Sequence, residues 1–226
     1  MLHEFLTSNR KELIARCRDK SQKRFEPSAS TSAAPVDHGV PLFLQQLVEI
    51  LRLEQLTDMR EGDGNTAERT PFSAEIGRSA ALHGTELLRL GFSVDQVVHG
   101  YGDICQSVTE LAVEEKEPIS TDEFRTLNRC LDNAIADAVT AYGKTSQTSV
   151  NAQAKTVAER LDAFSAEQRR LVDIASQAYS AIKSGNIGLT GATGTLLVHT
   201  LSELRSLPER VLPDIQLASA KPRPAE

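Results

Sequence analysis

Apolar residues recur at steps of three and four along most of the chain, and the pattern stops where proline, glycine or a polar run intervenes. Phe5, Leu6, Leu13, Ile14 and Cys17 form one apolar side and predict a first helix over 2–25. EPSASTSAAPV (26–36) is rich in Pro, Ser and Ala and reads as a loop. Pro41 fits the first turn of a second helix, where its missing N–H would be unpaired anyway. Leu44, Leu47, Val48 and Leu51 keep helical spacing beyond it. DMREGDGNTAERT (58–70) is polar, contains glycine and reads as a mobile loop. A third helix is expected from about Phe72 to Leu90, ended by Gly91. Ser93 with Gln96 and Ser120 with Glu123 have capping-box spacing and should start the fourth and fifth helices. The fourth runs to about Glu115, and the fifth carries Phe124, Leu127, Leu131, Ile135, Ala138 and Tyr142. No run shows β-branched alternation, so the expected fold class is all-α.

Residues 150–207 read as two helices joined by a glycine-punctuated turn. The first presents Leu161, Phe164, Leu171, Ala175, Ala178 and Ile182, a narrow stripe with Gln168 as its one polar member. GNIGLTGATG follows, and Gly185 can end the helix with positive φ. The second presents Leu197, Leu201 and Leu204, and Pro208 and Pro213 discourage its continuation. Two helices with one stripe each cannot bury both faces of a core, whereas two copies form a four-helix bundle. A homodimerising hairpin is the expectation. Between Tyr142 and Leu161 only Gly143 interrupts, so this stretch is either a continuous signalling helix or a flexible linker. As a helix, twenty residues would span about 30 Å.

The stretch from Arg160 to Leu207 resembles the dimerisation and phosphotransfer hairpin of a bacterial sensor histidine kinase family. Members carry Phe-x-Ala-His-Glu-Leu-Arg-Asn and then Gly-Asn-x-Gly-x-x-Gly-x-Thr-Gly. Phe164, Ala166 and Arg170 match the helix motif, and Gly185, Asn186, Gly188, Gly191, Thr193 and Gly194 match the turn. Glu167 stands where the phosphoacceptor histidine belongs, and Gln168 where its acidic neighbour belongs. A carboxylate cannot carry a phosphoryl group as an imidazole does, and an amide cannot accept the proton. The resemblance places a docking surface for a receiver domain around Glu167, Arg170 and Asp173. An ATP-binding domain follows the hairpin in that family; the 19 residues after Leu207 are too few for one.

Residues 1–145 are similar to the family's helical sensory domain, which is like that of stressosome co-antagonists. The matching runs are Asp37-His38-Gly39-Val40-Pro41, His83-Gly84-x-Glu86-Leu87-Leu88-Arg89-x-Gly91 and Val98-His99-Gly100-Tyr101-Gly102-Asp103. The expected organisation is a sensory domain over 1–145, a degenerate hairpin over 146–212 and a disordered tail over 213–226.

Composition narrows the function classes. Charged residues make up 25% and apolar ones 40%, as in ordinary soluble chains. There is no apolar run of roughly 18 residues and no signal-peptide core, so no membrane insertion and a cytoplasmic location are expected. A net charge of −6 and 4% aromatics disfavour nucleic acid. Residues 1–24 hold seven Lys or Arg against three acids, read as a solvated face. Cys17, Cys105 and Cys130 form no CxxC and read as buried thiols. No cofactor is expected from this pattern.

His83, His99, Tyr101 and Asp103 are the candidate ligand-pocket residues. The two histidines flank the Gly91 turn, and His99 and Asp103 are four apart, a spacing at which a carboxylate orients an imidazole. Metal or haem, a small ligand and plain structural histidines all remain open there. Gly100 and Gly102 inside a helix suggest either close helix approach or a kink beside a ligand. The glycine turn lacks the lysine of a phosphate loop. His199 has Val198 and Thr200 as neighbours, without an adjacent acid. The leading expectation is a non-catalytic signalling protein that forms a homodimer and binds a response-regulator receiver domain or a full-length histidine kinase. The alternatives are a phosphotransfer protein phosphorylated in trans and a small-molecule or haem sensor.

Overall fold

The computed structural model describes residues 1–24, 39–58, 71–185 and 190–219, and among them every regular element is a helix. These are α1 (Leu2–Ser8), α2 (Arg10–Arg24), α3 (Val40–Asp58), α4 (Pro71–Arg89), α5 (Val94–Glu115), α6 (Thr121–Lys183) and α7 (Ala192–Ser219). None is long and apolar enough to cross a membrane. The loop expected at 26–36 lies outside the described residues, as do residues 59–70 of the other expected loop. The chain forms two compact units, one over 1–146 and one over 147–219 among the described residues. The stretch 143–160 is helix, part of the unbroken α6.

In the first unit α1 packs on α3, α2 on α5 and α3 on α4. Its core joins Leu2, Leu6 and Leu13 to Leu44, Leu47, Ile76, Val97, Ile104, Val108, Leu127 and Ala134. The expected first helix is broken at Asn9, whose ψ of 12° leaves the helical range and whose Nδ2 donates to Glu115 Oε2 at 3.0 Å. Gly91 ends α4 with φ of 83°, a conformation glycine adopts without strain. The Ser93 N–H donates to Gln96 Oε1 at 2.8 Å at the start of α5. At the start of α6 the Ser120 N–H donates to Glu123 Oε2 at 3.0 Å, and the Glu123 N–H donates to Ser120 Oγ at 3.2 Å. Both expected capping pairs therefore satisfy donors that a helix start leaves open.

Three expectations change. Phe124 is exposed, and Thr126, Cys130 and Ala134 take core positions on α6 instead. Gly100 and Gly102 make no close approach: a Cβ at either would meet open space. The close approaches are at Gly77 and Gly84 of α4, where a Cβ would lie 2.3 Å from Asp137 Oδ2 and 2.1 Å from the Ala138 carbonyl oxygen. Pro208 and Pro213 do not end α7, which runs to Ser219; the remainder of the expected tail, 220–226, lies outside the described residues. Each proline costs roughly 3 kcal/mol in a helix interior. Leu207 is buried and Val211 and Ile215 are half-buried, so the packed line continues past both prolines. Full burial of one such side chain is worth about 1.5–3 kcal/mol, enough to offset much of that cost.

Candidate functional site

The second unit is an antiparallel pair made of α7 and the part of α6 beyond residue 147. Leu171, Ala175 and Ala178 are buried on α6, with Phe164 and Ile182 half-buried. On α7 the buried residues are Gly194, Thr200 and Leu207, and Leu197, Leu204 and Val211 are half-buried. The Thr200 hydroxyl donates to the Leu196 carbonyl at 2.8 Å, so it enters the seam with its proton satisfied. Arg160 donates to the Asp214 carbonyl at the far end of the pair. Gly185 has φ of 78° and ends α6 as expected, while Asn186 and Gly188 lie outside the described residues.

Leu161 and Leu201 are not in this seam. They are 46% and 50% exposed. One residue turns a helix by about 100°, so replacing Leu201 with Thr200 in the seam swings the leucine onto the flank. Val172 and Tyr179 on α6, and Val198 and Leu212 on α7, are exposed as well. At 3.6 residues per turn, Leu161, Val172 and Tyr179 share one face of α6, and Val198, Leu201 and Leu212 share one face of α7. The hairpin thus has an inner seam and an uncovered apolar flank on each helix.

Glu167 lies at the border of the seam, its side chain 39% exposed. The Arg170 guanidinium donates to both its oxygens, at 2.8 and 2.7 Å. On α7, Arg210 pairs with Glu203 at 3.0 Å. The Arg170 hydrogen bonds hold the Glu167 carboxyl below its ordinary range against the opposing effect of burial, and the charges of Arg170 and then Arg210 add to the lowering. Arg170 is pushed up by Glu167 first and by Glu203 as well. Glu167 thus belongs to a group of four alternating charges on two helices, with Arg170, Glu203 and Arg210. Gln168, Asp173 and His199 are exposed. Glu167 is a fixed anion, and no imidazole stands at this position to be phosphorylated.

Of the four candidate pocket residues in the first unit, the structure brings His83 and Tyr101 together and leaves His99 and Asp103 apart from them. Tyr101 is buried, edge-on to Phe43 with centroids 5.7 Å apart and to His83 at 6.0 Å. Burial pushes its phenol well up, and Asp137 adds to this. Asp103 is buried too, but both its oxygens accept from Arg24, at 2.9 and 2.6 Å. Residues two apart on a helix point about 200° apart, so α5 is covered on two sides. His99 is exposed, and the oxygens that were to orient it are bound to Arg24 instead. Among the described residues no group of three His, Cys, Asp or Glu is arranged to hold a metal ion.

The basic residues of α2, expected as a solvated face, form a ladder to α5. Arg16 binds both oxygens of Glu114 at 2.8 and 2.7 Å, Lys20 binds Glu110 at 2.9 Å and Arg24 binds Asp103. The four-residue spacing of Arg16, Lys20 and Arg24 is visible in the sequence. Their partners lie 79 to 98 residues away, where spacing gives no signal.

Comparison with known protein families, with curated proteins and with solved structures finds no match.

Proposed function

We propose that the chain is a non-catalytic signalling protein of two-component type, acting in the cytoplasm. A sensory unit is joined through α6 to a degenerate phosphotransfer hairpin. The hairpin pairs with a second copy and binds a receiver domain or a partner histidine kinase, modulating the phosphorelay. The carrying observation is Glu167: a carboxylate clasped by Arg170 stands within a hairpin whose Phe164, Ala166, Arg170 and glycine turn resemble the kinase motif. Charge is kept where phosphohistidine would sit, and acceptor chemistry is lost. Pairing is supported by the exposed flank of Leu161, Val172, Tyr179 and Leu201, because monomeric proteins seldom leave such apolar surface uncovered.

The test is restoration. Glu167 and Gln168 are on the surface, where such changes stay within about 0.5 kcal/mol, so the double change Glu167→His with Gln168→Glu should fold like the parent. Incubated with ATP and the separate catalytic domain of a histidine kinase of that family, the double variant should take up acid-labile phosphate and the parent none. The kinase's own hairpin serves as the positive control. A labelled control beside an unlabelled, folded variant would overturn the assignment and leave a plain dimerisation bundle.

A further inference from the structure

The core-facing line of α2 changes character along its length. Leu13 and Cys17 are buried and Ile14 is half-buried. The next positions on that side are Lys20, Ser21 and Arg24, and beyond Cys17 the helix buries no apolar residue. Its first half is held by the hydrophobic effect at Leu13 and Ile14, which salt does not weaken, with the Arg16–Glu114 pair at its surface. Its second half is held to α5 by charge: Lys20 to Glu110 and Arg24 to Asp103.

Beneath the second half lies Asp103, with only 2% of its side chain exposed. Among the described residues Arg24 is the one cation paired with it. Beside it the Cys17 thiol lies 3.7 Å from the Asp103 carbonyl and 3.6 Å from the Ser107 hydroxyl, and Ser107 is buried. Arg24 itself stays 30% exposed, so water and ions reach the cation but not the carboxylate. A buried carboxylate is tolerated only while its partner is in place. The partner here sits on the last described turn of α2, which among the described residues buries no apolar side chain beyond Cys17.

We propose that the C-terminal half of α2 is an electrostatically latched strap, which opens locally while the rest of the unit stays folded and whose opening responds to ionic strength. Opening uncovers Asp103 and Ser107, and with them Cys17, the boundary residue whose thiol lies against both. The first half of α2 remains anchored through Leu13. The core around Leu127, Cys130 and Ala134 belongs to α6 and is unaffected. Burial pushes the Cys17 thiol up and keeps it unreactive in the closed state, so its alkylation reports opening. Cys130 is buried in the same unit away from the strap and reports global unfolding.

The experiment uses the full chain, N-ethylmaleimide as probe and peptide mass spectrometry to separate the three cysteines. Raising potassium chloride from about 10 mM to about 1 M shortens the screening length from roughly 30 to 3 Å, which weakens exposed ion pairs. Cys17 alkylation should rise several-fold over this series and Cys130 alkylation should not. Arg24→Ala at low salt should raise the Cys17 rate by about tenfold or more, since it strands a buried carboxylate. Lys20→Gln should do so by less, because its pair is more exposed. A Cys17 rate unchanged by salt would overturn the proposal. So would Cys17 and Cys130 rates that rise together, with salt or in either variant, because the strap would then open only when the whole unit does.

Discussion

Two glycines on α4 show how one missing methyl group sets a helix spacing. A Cβ at Gly84 would meet the Ala138 backbone at 2.1 Å, and backbone cannot step aside. A Cβ at Gly77 would meet the Asp137 carboxylate at 2.3 Å, and that side chain can swing away. Gly84→Ala should destabilise the first unit by about 2–3 kcal/mol, the upper part of the overpacking range, and Gly77→Ala by less. Gly100 has open space around it, so Gly100→Ala should stabilise α5 by up to about 1 kcal/mol through helix propensity. Urea denaturation of the three variants checks the order. Glu123 gives a pH signature. Burial would raise its pKa, but the Leu2 and Ser120 N–H groups donate to it and together hold it below the ordinary range. A lowered folded pKa means stability that is present above the unfolded value of about 4.3 and is lost as pH falls through the folded value. Glu123→Gln should therefore be less stable than the parent at neutral pH, with the gap closing as pH falls below the ordinary carboxylate range. Urea midpoints along a pH series measure this. Neither glycine contact was legible in the sequence, because each depends on a residue of another helix; Gly100 and Gly102 attracted the inference by being helical glycines, and nothing approaches them.

At the scale of elements, local chemistry was legible and rotation was not. Gly91, Ser93 and Ser120 mark helix ends through bonds made within a few residues, and those ends are where their types predict. The inner seam of α7 is chosen by its neighbour. Steps of three and four fit Leu197, Leu201 and Leu204 as well as Leu197, Thr200 and Leu204, and hydrophobicity alone favours the leucine. The smaller Thr200 is buried with its hydroxyl satisfied, while Leu201 stays half exposed. Leu171 and Leu201, expected in one seam, therefore have different roles. Leu171 is buried within the hairpin, so Leu171→Asp should melt the α6–α7 pair, at several kcal/mol for an unpaired buried charge. Leu201 is on the flank, so Leu201→Asp should leave helix content intact and remove self-association. Circular dichroism with sedimentation velocity distinguishes the two. Self-association unchanged in Leu201→Asp would put the interface elsewhere.

At the scale of the whole molecule the two units differ in how much core they own. The first joins α1 to α5 and the start of α6 through two dozen buried apolar residues. Among its described residues the second buries the apolar Leu171, Ala175, Ala178 and Leu207 and leaves six large ones exposed on the two flanks. So small a core gives little against the ordering entropy of some seventy residues. Scanning calorimetry of the full chain should accordingly show two transitions, the lower one belonging to the hairpin. If a second copy covers the flanks, folding of the hairpin is coupled to association, and its midpoint must rise with protein concentration. A tenfold increase is worth about 1.4 kcal/mol. For two hairpins of roughly 150 residues in all, that moves the midpoint by about 3–6 °C. The upper transition should not move, because the first unit's core is its own. Leu201→Asp should make the lower midpoint independent of concentration and lower it, since the flank then stays in water. A lower transition in the parent that holds one temperature across the tenfold range would mean that the hairpin stands alone, and the exposed leucines would need another partner.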